Sequence, residues 1–553
     1  MATAFVRQLG AESGIQLNPL KDNSGIPATS NSDQIFGIIM RATRGRIDRP
    51  FEVDASNVYK KLGKGEQIRI NALNEAWVHV VEALSNGAYS CVVQRLTTAK
   101  AKIKYLICRV TKTEAADGAA ATQKYTFEVA EELPKDGFFF ALKHLECHND
   151  GIKVEIHAEE ENEGGKDVDQ KVFALKVIDA DENTLYSFEG SVDVDAKDDF
   201  GNSAYLPDVI SKQTDNIELT FGADAGAFIP ESDAYGYDEN GQQKWVESPI
   251  LACFDEGGFA YETADYVRAR KALQNATFDF AYVSSGGTQS PALLGQLSQL
   301  CYDTNKQCRF DIPGGLTPEA AINFVRQLNF GASKTAHLMQ AFWSPLKSDD
   351  PTGVNPAGYF GTATLNIAYA CARNAEKNAK GFAPKNYPIA GVNWPIQRTN
   401  IVQTYTCEQS ELNQLAKAKI NPVRYETYSA GGKYVFFDSI TCAQVDSSLR
   451  KLIAVADMST SIDDFVCRTV KEFLQLPMSV AIKKTEDFLK TLFEGAEASG
   501  WLVPSSDPQM GGAAWRFTVA ANEQRPYDTI DVNYWLRYDG TARQIFITQT
   551  LTK

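Results

Sequence analysis

Between residue 274 and about 430 the chain alternates short apolar runs with amphipathic ones, and this rhythm constrains the fold more than any other feature of the 553 residues. Phe278-Asp-Phe-Ala-Tyr-Val283 reads as a strand, followed by a helix near Ala292–Asp303. Cys308-Arg-Phe-Asp-Ile312 leads to a helix opened by Thr317 as N-cap with Pro318 in its first turn. His337-Leu-Met-Gln-Ala-Phe342 then leads to a helix over Ala363–Lys377. Strand and helix in repeated alternation predict a mostly parallel sheet with helices on its faces, a doubly wound α/β central domain over 274–431.

The flanking segments obey other patterns. Residues 1–33, rich in Ser, Asn, Gly and Pro, read as a flexible N-terminal arm. Ile35–Met40 and Ser90–Arg95 read as buried strands around an amphipathic helix from Leu73 to Leu84, which predicts an N-terminal α+β portion over 34–103 and 191–273. Between 104 and 190 short strands recur, at Tyr105–Val110, Tyr125–Val129, Ile152–Ile156 and Val172–Val177, and predict a small inserted β domain.

Over 432–543 the pattern predicts an α+β C-terminal domain. One helix is expected to start at Ser461, with Asp463 and Asp464 at its positive end and Phe465, Val466, Val470, Phe473 and Leu474 buried. A second helix carries Phe488, Leu489, Leu492 and Phe493, and a strand places Ile530, Val532, Tyr534 and Leu536 on one face. The last apolar stretch, Gln544-Ile545-Phe546-Ile547-Thr548-Gln549-Thr550-Leu551, has two readings. Asp539-Gly540 offers a turn that folds it back as a hairpin, or it is an arm strand, 544–553, that pairs outside its own domain.

Charge narrows the function. The net charge is -15, and the stretch from Thr111 to Ile250 holds 32 acidic against 11 basic residues, so the inserted β domain is acidic. No concentrated Lys/Arg surface exists to meet phosphates, which argues against direct binding of nucleic acid. No apolar run approaches the ~18–20 residues that span a bilayer, and Met1–Gly10 lacks the pattern of a secretory leader, so no membrane insertion and a cytoplasmic site of synthesis are expected.

The motifs of catalysis are missing. Gly-x-Ser-x-Gly, Gly-x-x-x-x-Gly-Lys and His-Glu-x-x-His do not occur. An α/β hydrolase-like enzyme would have to use Ser285, in Ser284-Ser-Gly-Gly287, with His337, and a strand histidine beside a Gly-Gly turn is a poor triad. The ten cysteines contain no CxxC pair; Cys301 and Cys308, read as two turns apart on one helix, would be ~10.5 Å apart. Reduced buried thiols are expected, with cross-links between subunits as the alternative. His144 and His148 flank Cys147 but read as surface residues entering the Asn149-Asp-Gly151 loop, and Glu159-Glu160-Glu161 and Asp198-Asp199 as solvated turns. No catalytic, cofactor or metal site is predicted.

Several segments, in order, resemble the sheath proteins of contractile phage tails. They are Phe36-Gly-Ile-Ile-Met-Arg-Ala-Thr-Arg-Gly45, Gly87-Ala-Tyr-Ser-Cys-Val-Val-Gln-Arg95, Tyr205-Leu-Pro-Asp-Val-Ile-Ser211 and Phe310-Asp-Ile-Pro-Gly314. They continue with Gly381-Phe-Ala-Pro-Lys-Asn386, Ile420-Asn-Pro-Val-Arg-Tyr425 and Gly432-Lys-Tyr-Val-Phe-Phe-Asp-Ser-Ile-Thr441, and together span most of residues 34–553. The resemblance implies a subtilisin-like central fold without its triad and strand-donating terminal arms. It further implies a homo-oligomer of hexameric rings stacked into a helical sheath, assembled in the host cytoplasm and carried in the virion tail. Its partners would be the tail tube, baseplate and tail terminator proteins, with Lys483, Lys484 and Lys490 as candidates to face the tube. A phage-derived bacteriocin or a secretion injector would use the same subunit. Ile440 stands where the family leads one to expect arginine beside Thr441, and the N-terminal arm lacks the usual Pro-Gly start.

Overall fold

The apolar runs that seeded the sequence reading have almost no polar face to turn to water, and they meet in one eight-stranded sheet. The computed structural model describes residues 31–113, 122–159, 172–198, 200–223, 225, 236–237 and 243–552 of a multidomain protein of mixed α/β architecture. The N-terminal arm up to residue 30 and the acidic Glu160, Glu161 and Asp199 lie outside the described residues.

The sheet order is Phe51–Val53, Ser90–Arg95, Ile35–Met40, Tyr282–Ser284, Gln307–Ile312, Met339–Trp343, Ile420–Tyr428, Gly431–Phe436. The six inner strands are parallel, and the two outer strands are antiparallel to their neighbours. Every residue of Ser90–Arg95, Gln307–Ile312 and Met339–Trp343 is buried, as parallel strands covered on both faces must be.

The helices are α1 (Val58–Leu62), α2 (Glu75–Ser85), α3 (Leu206–Gln213), α4 (Thr263–Gln274), α5 (Pro291–Thr304), α6 (Pro318–Leu328), α7 (Ala363–Ala375), α8 (Gln409–Lys417), α9 (Ile453–Lys471) and α10 (Met478–Ala498). α2 and α7 pack on one face of the sheet and α4, α5, α6 and α8 on the other, each face with its own apolar core. Thr317 caps α6 as expected, its hydroxyl accepting from the Ala320 amide. In Phe310-Asp-Ile-Pro-Gly314 the buried Asp311 carboxylate accepts from the amides of Thr362 (2.7 Å) and Ala363 (2.8 Å), capping α7.

Segment 34–103 is therefore not a portion apart from 274–431: Ile35–Met40 lies between Ser90–Arg95 and Tyr282–Ser284 in the same sheet. A pairing across more than two hundred residues leaves no local trace in the sequence.

The inserted domain is also larger than its local pattern. The chain leaves the body at Lys102–Ile103 and returns at Phe254–Asp255, and these two short segments pair antiparallel, Ile103 opposite Phe254. Between them two four-stranded antiparallel sheets share one core. Ile217–Phe221 and Val246–Glu247 are edge strands of those sheets, so the module runs to about residue 253 rather than 190. His144 and His148 are buried rather than on the surface, because the loop holding them is packed between module and body.

The C-terminal unit consists of α9, α10 and a two-stranded ribbon, Trp515–Ala521 with Ile530–Leu536. α9 begins at Ile453, not Ser461, so Asp463 and Asp464 sit within the helix. Their carboxylates serve tertiary contacts: Asp463 accepts from Tyr534 (2.6 Å), and Asp464 pairs with Lys306 and Arg468. Phe465 and Leu474 are exposed rather than buried.

A buried ionic cluster fastens this unit to the body. Asp457 of α9 accepts from Arg373 of α7 at 2.8 Å and from Arg309 of the sheet at 3.4 Å. Burial would push its carboxyl up, but the two guanidiniums hold it below the usual carboxylate range. The loop Gly381–Asn386 completes the joint, with Lys385 donating to Ser461 (2.6 Å) and the Ala383 carbonyl accepting from the Trp501 indole (2.8 Å). Cys301 lies in α5 but Cys308 in the adjacent strand, so the two do not share a helix; all ten cysteines are free. Among the described residues no helix is long and apolar enough to cross a membrane.

Candidate assembly interface

The ribbon's inner face is finished. Trp515, Phe517, Val519, Val532, Tyr534 and Leu536 pack on Leu489 and Phe493 of α10, following the period-2 alternation of both strands. Its edges are not. Among the described residues the sheet contains these two strands alone, so each presents an outer row of amides and carbonyls with no described strand beside it.

Beyond Leu536 the chain does not turn back. Arg537 donates its amide to Ala514, and the Asp539 amide donates to the Trp501 carbonyl, which carries the backbone away from the ribbon. Arg543 then grips Asp438 with a two-point ion pair, its Nε donating to Oδ1 at 2.7 Å and Nη2 to Oδ2. That hydrogen bond, with the attraction of the carboxylate, raises the Arg543 pKa against the opposing effect of burial. From Gln544 onward the chain has no secondary structure. Ile545, Phe546, Ile547 and Leu551 are 79%, 90%, 89% and 89% exposed. Four large apolar side chains therefore lie in water within eight residues, an exposed apolar patch. The hairpin reading of Asp539-Gly540 is thereby corrected: residues 544–552 form no strand, and among the described residues Ile530–Leu536 pairs with Trp515–Ala521 alone.

The three candidate lysines lie on the solvent side of α10, whose buried face is Ala481, Thr485, Leu489 and Phe493. Lys483 is already paired with Asp487 at 2.9 Å, which raises its pKa, and the Lys484 ammonium sits 5.7 Å over the Phe473 ring. Leu474, Leu476 and Val480 add exposed apolar surface beside them.

Two other constellations were tested by the geometry. Ser285 follows the C-terminal end of Tyr282–Ser284, whereas His337 lies not in a strand but in the turn before Met339–Trp343, so the two stand at opposite ends of parallel strands. They form no triad. His144, Glu146 and His148 do converge, their ligand atoms all within 4.8 Å of one another, and are the one group among the described residues placed to hold a metal. Burial, then His144 and Arg44, holds the His148 pKa well below its ordinary range.

The Trp515–Ala521 strand and the Arg543–Asp438 pair went unread in the sequence. The strand's Trp-x-Phe-x-Val alternation was visible; an ion pair 105 residues apart was not.

No family model and no curated protein matches the chain. Among solved structures, a chain of the cryo-EM structure of the anti-feeding prophage (AFP) baseplate, 6-fold symmetrised, is similar over 57% of this chain and 77% of its own, at 11% identity and a TM-score of 0.40. A chain of the same baseplate in contracted state is similar over 55% of this chain and 80% of its own, at 13% identity and a TM-score of 0.39.

Proposed function

We propose that the chain is a structural subunit of a contractile injection device, and specifically the sheath protein of a contractile phage tail. The observation that carries the reading is the exposed strand sequence Gln544–Leu551, rooted by Arg543 on Asp438, in a molecule that also offers a ribbon with two open edges. A tail that leaves its own domain and an acceptor edge on the same chain are the two halves of a heterologous contact. Repeated from copy to copy, such a contact propagates instead of closing. Ile545 and Ile547, or Phe546 and Thr548, would set the register of the added strand.

In this reading six copies make a ring, rings stack around a tail tube, and Lys483, Lys484 and Lys490 face that tube. Contraction moves the subunits largely as rigid bodies tethered by the tails, with no catalytic step and no cofactor. The alternative reading is the sheath of a phage-derived bacteriocin or secretion injector.

Negative-stain electron microscopy of the purified full chain tests the proposal. Hollow tubes of uniform diameter are expected. A stable monomer at every concentration, labelled at Ser285 by a serine-directed fluorophosphonate, would sink it in favour of an enzyme.

A further inference from the structure

The loop between the Phe140–His144 strand and Ile152 carries a cluster that assembly leaves unused. His144 and His148 are 2% and 3% exposed, and their rings stand edge to face with centroids 4.7 Å apart. His144 Nε2 lies 3.4 Å from Glu146 Oε2. His148 Nδ1 is a buried nitrogen without a hydrogen-bond partner, and His144 Nε2 has only the long contact with Glu146. Interior polar atoms are seldom left so, and here both belong to one small group of ligand-type atoms.

We propose that His144, Glu146 and His148 bind a divalent cation of the zinc type. Two ligand atoms on a tetrahedral zinc with bonds of ~2.0–2.1 Å are about 3.4 Å apart, the separation already found between His144 and Glu146. Two imidazoles and one carboxylate suit zinc and its neighbours and do not suit calcium or magnesium, which take oxygen shells. The carboxylate has an outer partner: Tyr186 Oη donates to Glu146 Oε2 at 2.8 Å and accepts from Asn216 Nδ2 at 2.9 Å, which holds Glu146 in place. Glu146 also lines a cleft of about 410 Å³, with Arg46, Phe51 and Asp215. Four cationic side chains stand near: Arg44, Arg95, Lys60 and, across the cleft, Arg46, which is paired with Asp48. Arg44 is neutralised by Asp150 and Asp179, whereas Arg95 donates only to Gly45, Cys147 and Asn149 oxygens and opposes the cation.

The site's place gives it a role. Its loop touches the body through the Glu146 carbonyl, which accepts from Gly45, and the Asn149 amide, which donates to Thr43, while the Leu145 amide donates to Asn216 of the module. A bound ion would brace the segment 144–148, through which the module meets the body.

The test uses the full chain stripped with chelator and titrated with Co²⁺ as a visible probe. One Co²⁺ per chain is expected, with the ligand-field bands of a four-coordinate site, displaced by Zn²⁺; Zn²⁺ should raise the module's thermal midpoint by about 2–4 °C. His144→Ala and His148→Ala should each weaken uptake at least about tenfold, and Glu146→Gln, which keeps the shape and the Tyr186 contact, should do the same if an alanine variant fails to fold. His337→Ala should change nothing. Absence of stoichiometric uptake by the stripped wild type, or bands that survive both His144→Ala and Glu146→Gln, overturns the proposal.

Discussion

The central sheet and the terminal ribbon handle their edges in opposite ways. The sheet is closed on each side by an antiparallel strand, only three residues long at Phe51–Val53, and its parallel interior is covered by helices on both faces. The ribbon presents two seven-residue strands with bare outer edges, and the segment that follows it lies in water with its apolar side chains exposed. In the first region the hydrogen bonds and apolar contacts are spent within the chain, and stability resides there. In the second, among the described residues, the strand edges and the tail's apolar side chains are left without partners.

Substitutions separate the two regions, and their effects on folding should fall in order from sheet to tail. Asp457→Ala leaves Arg373 and Arg309 buried without their carboxylate and should cost about 3–5 kcal/mol, read as a lowered urea midpoint of the α/β body. The pH dependence has a definite sign. Because the folded pKa of Asp457 is depressed, its contribution is full above the unfolded carboxylate value of about 3.9 and is lost as pH falls through the folded value. The gap between wild type and Asp457→Asn should therefore narrow in acid below about pH 4. A gap constant with pH would mean that the cluster does not hold the body to α9.

Thr317→Ala removes one helix cap within the same body and should cost about 1 kcal/mol by the same urea measurement. Arg543→Ala acts at the root of the tail. Its partly buried pair with Asp438 should be worth no more than about 1 kcal/mol to folding, while tubes seen by electron microscopy should become irregular or disappear. Trimming the chain after Arg543 should leave the unfolding midpoint unchanged within error and abolish tubes altogether. If the trimmed chain instead unfolds earlier, the tail packs on its own body and the contrast between the regions fails.

Legibility followed the range of the contacts. Ile35–Met40 and Ser90–Arg95 were readable to the residue, since a short apolar run between turns is a local signal of a buried strand. The α6 start was readable from Thr317-Pro318 because capping chemistry is local. Ser461-Ile-Asp-Asp464 imitated the same signal and misled: Ser461 donates back to the Asp457 carbonyl inside a helix already under way, and the aspartates answer partners from other elements. Which strands share a sheet, where the module ends, and that His144 and His148 are buried all depend on long-range packing, which leaves no periodicity to read. The exposed arm was half legible. Its apolar run suggested a strand, but only the unpaired course of the chain after Asp539 removed the hairpin as its destination.

The module's stalk carries a consequence of another kind. Lys102–Ile103 and Phe254–Asp255 lie side by side, so the chain departs and comes home across the width of one strand spacing, about 4.8 Å. Topologically the 150-odd intervening residues hang from the body like a pendant from a single ring. Any domain with adjacent termini could be hung there instead without rerouting the chain of the body.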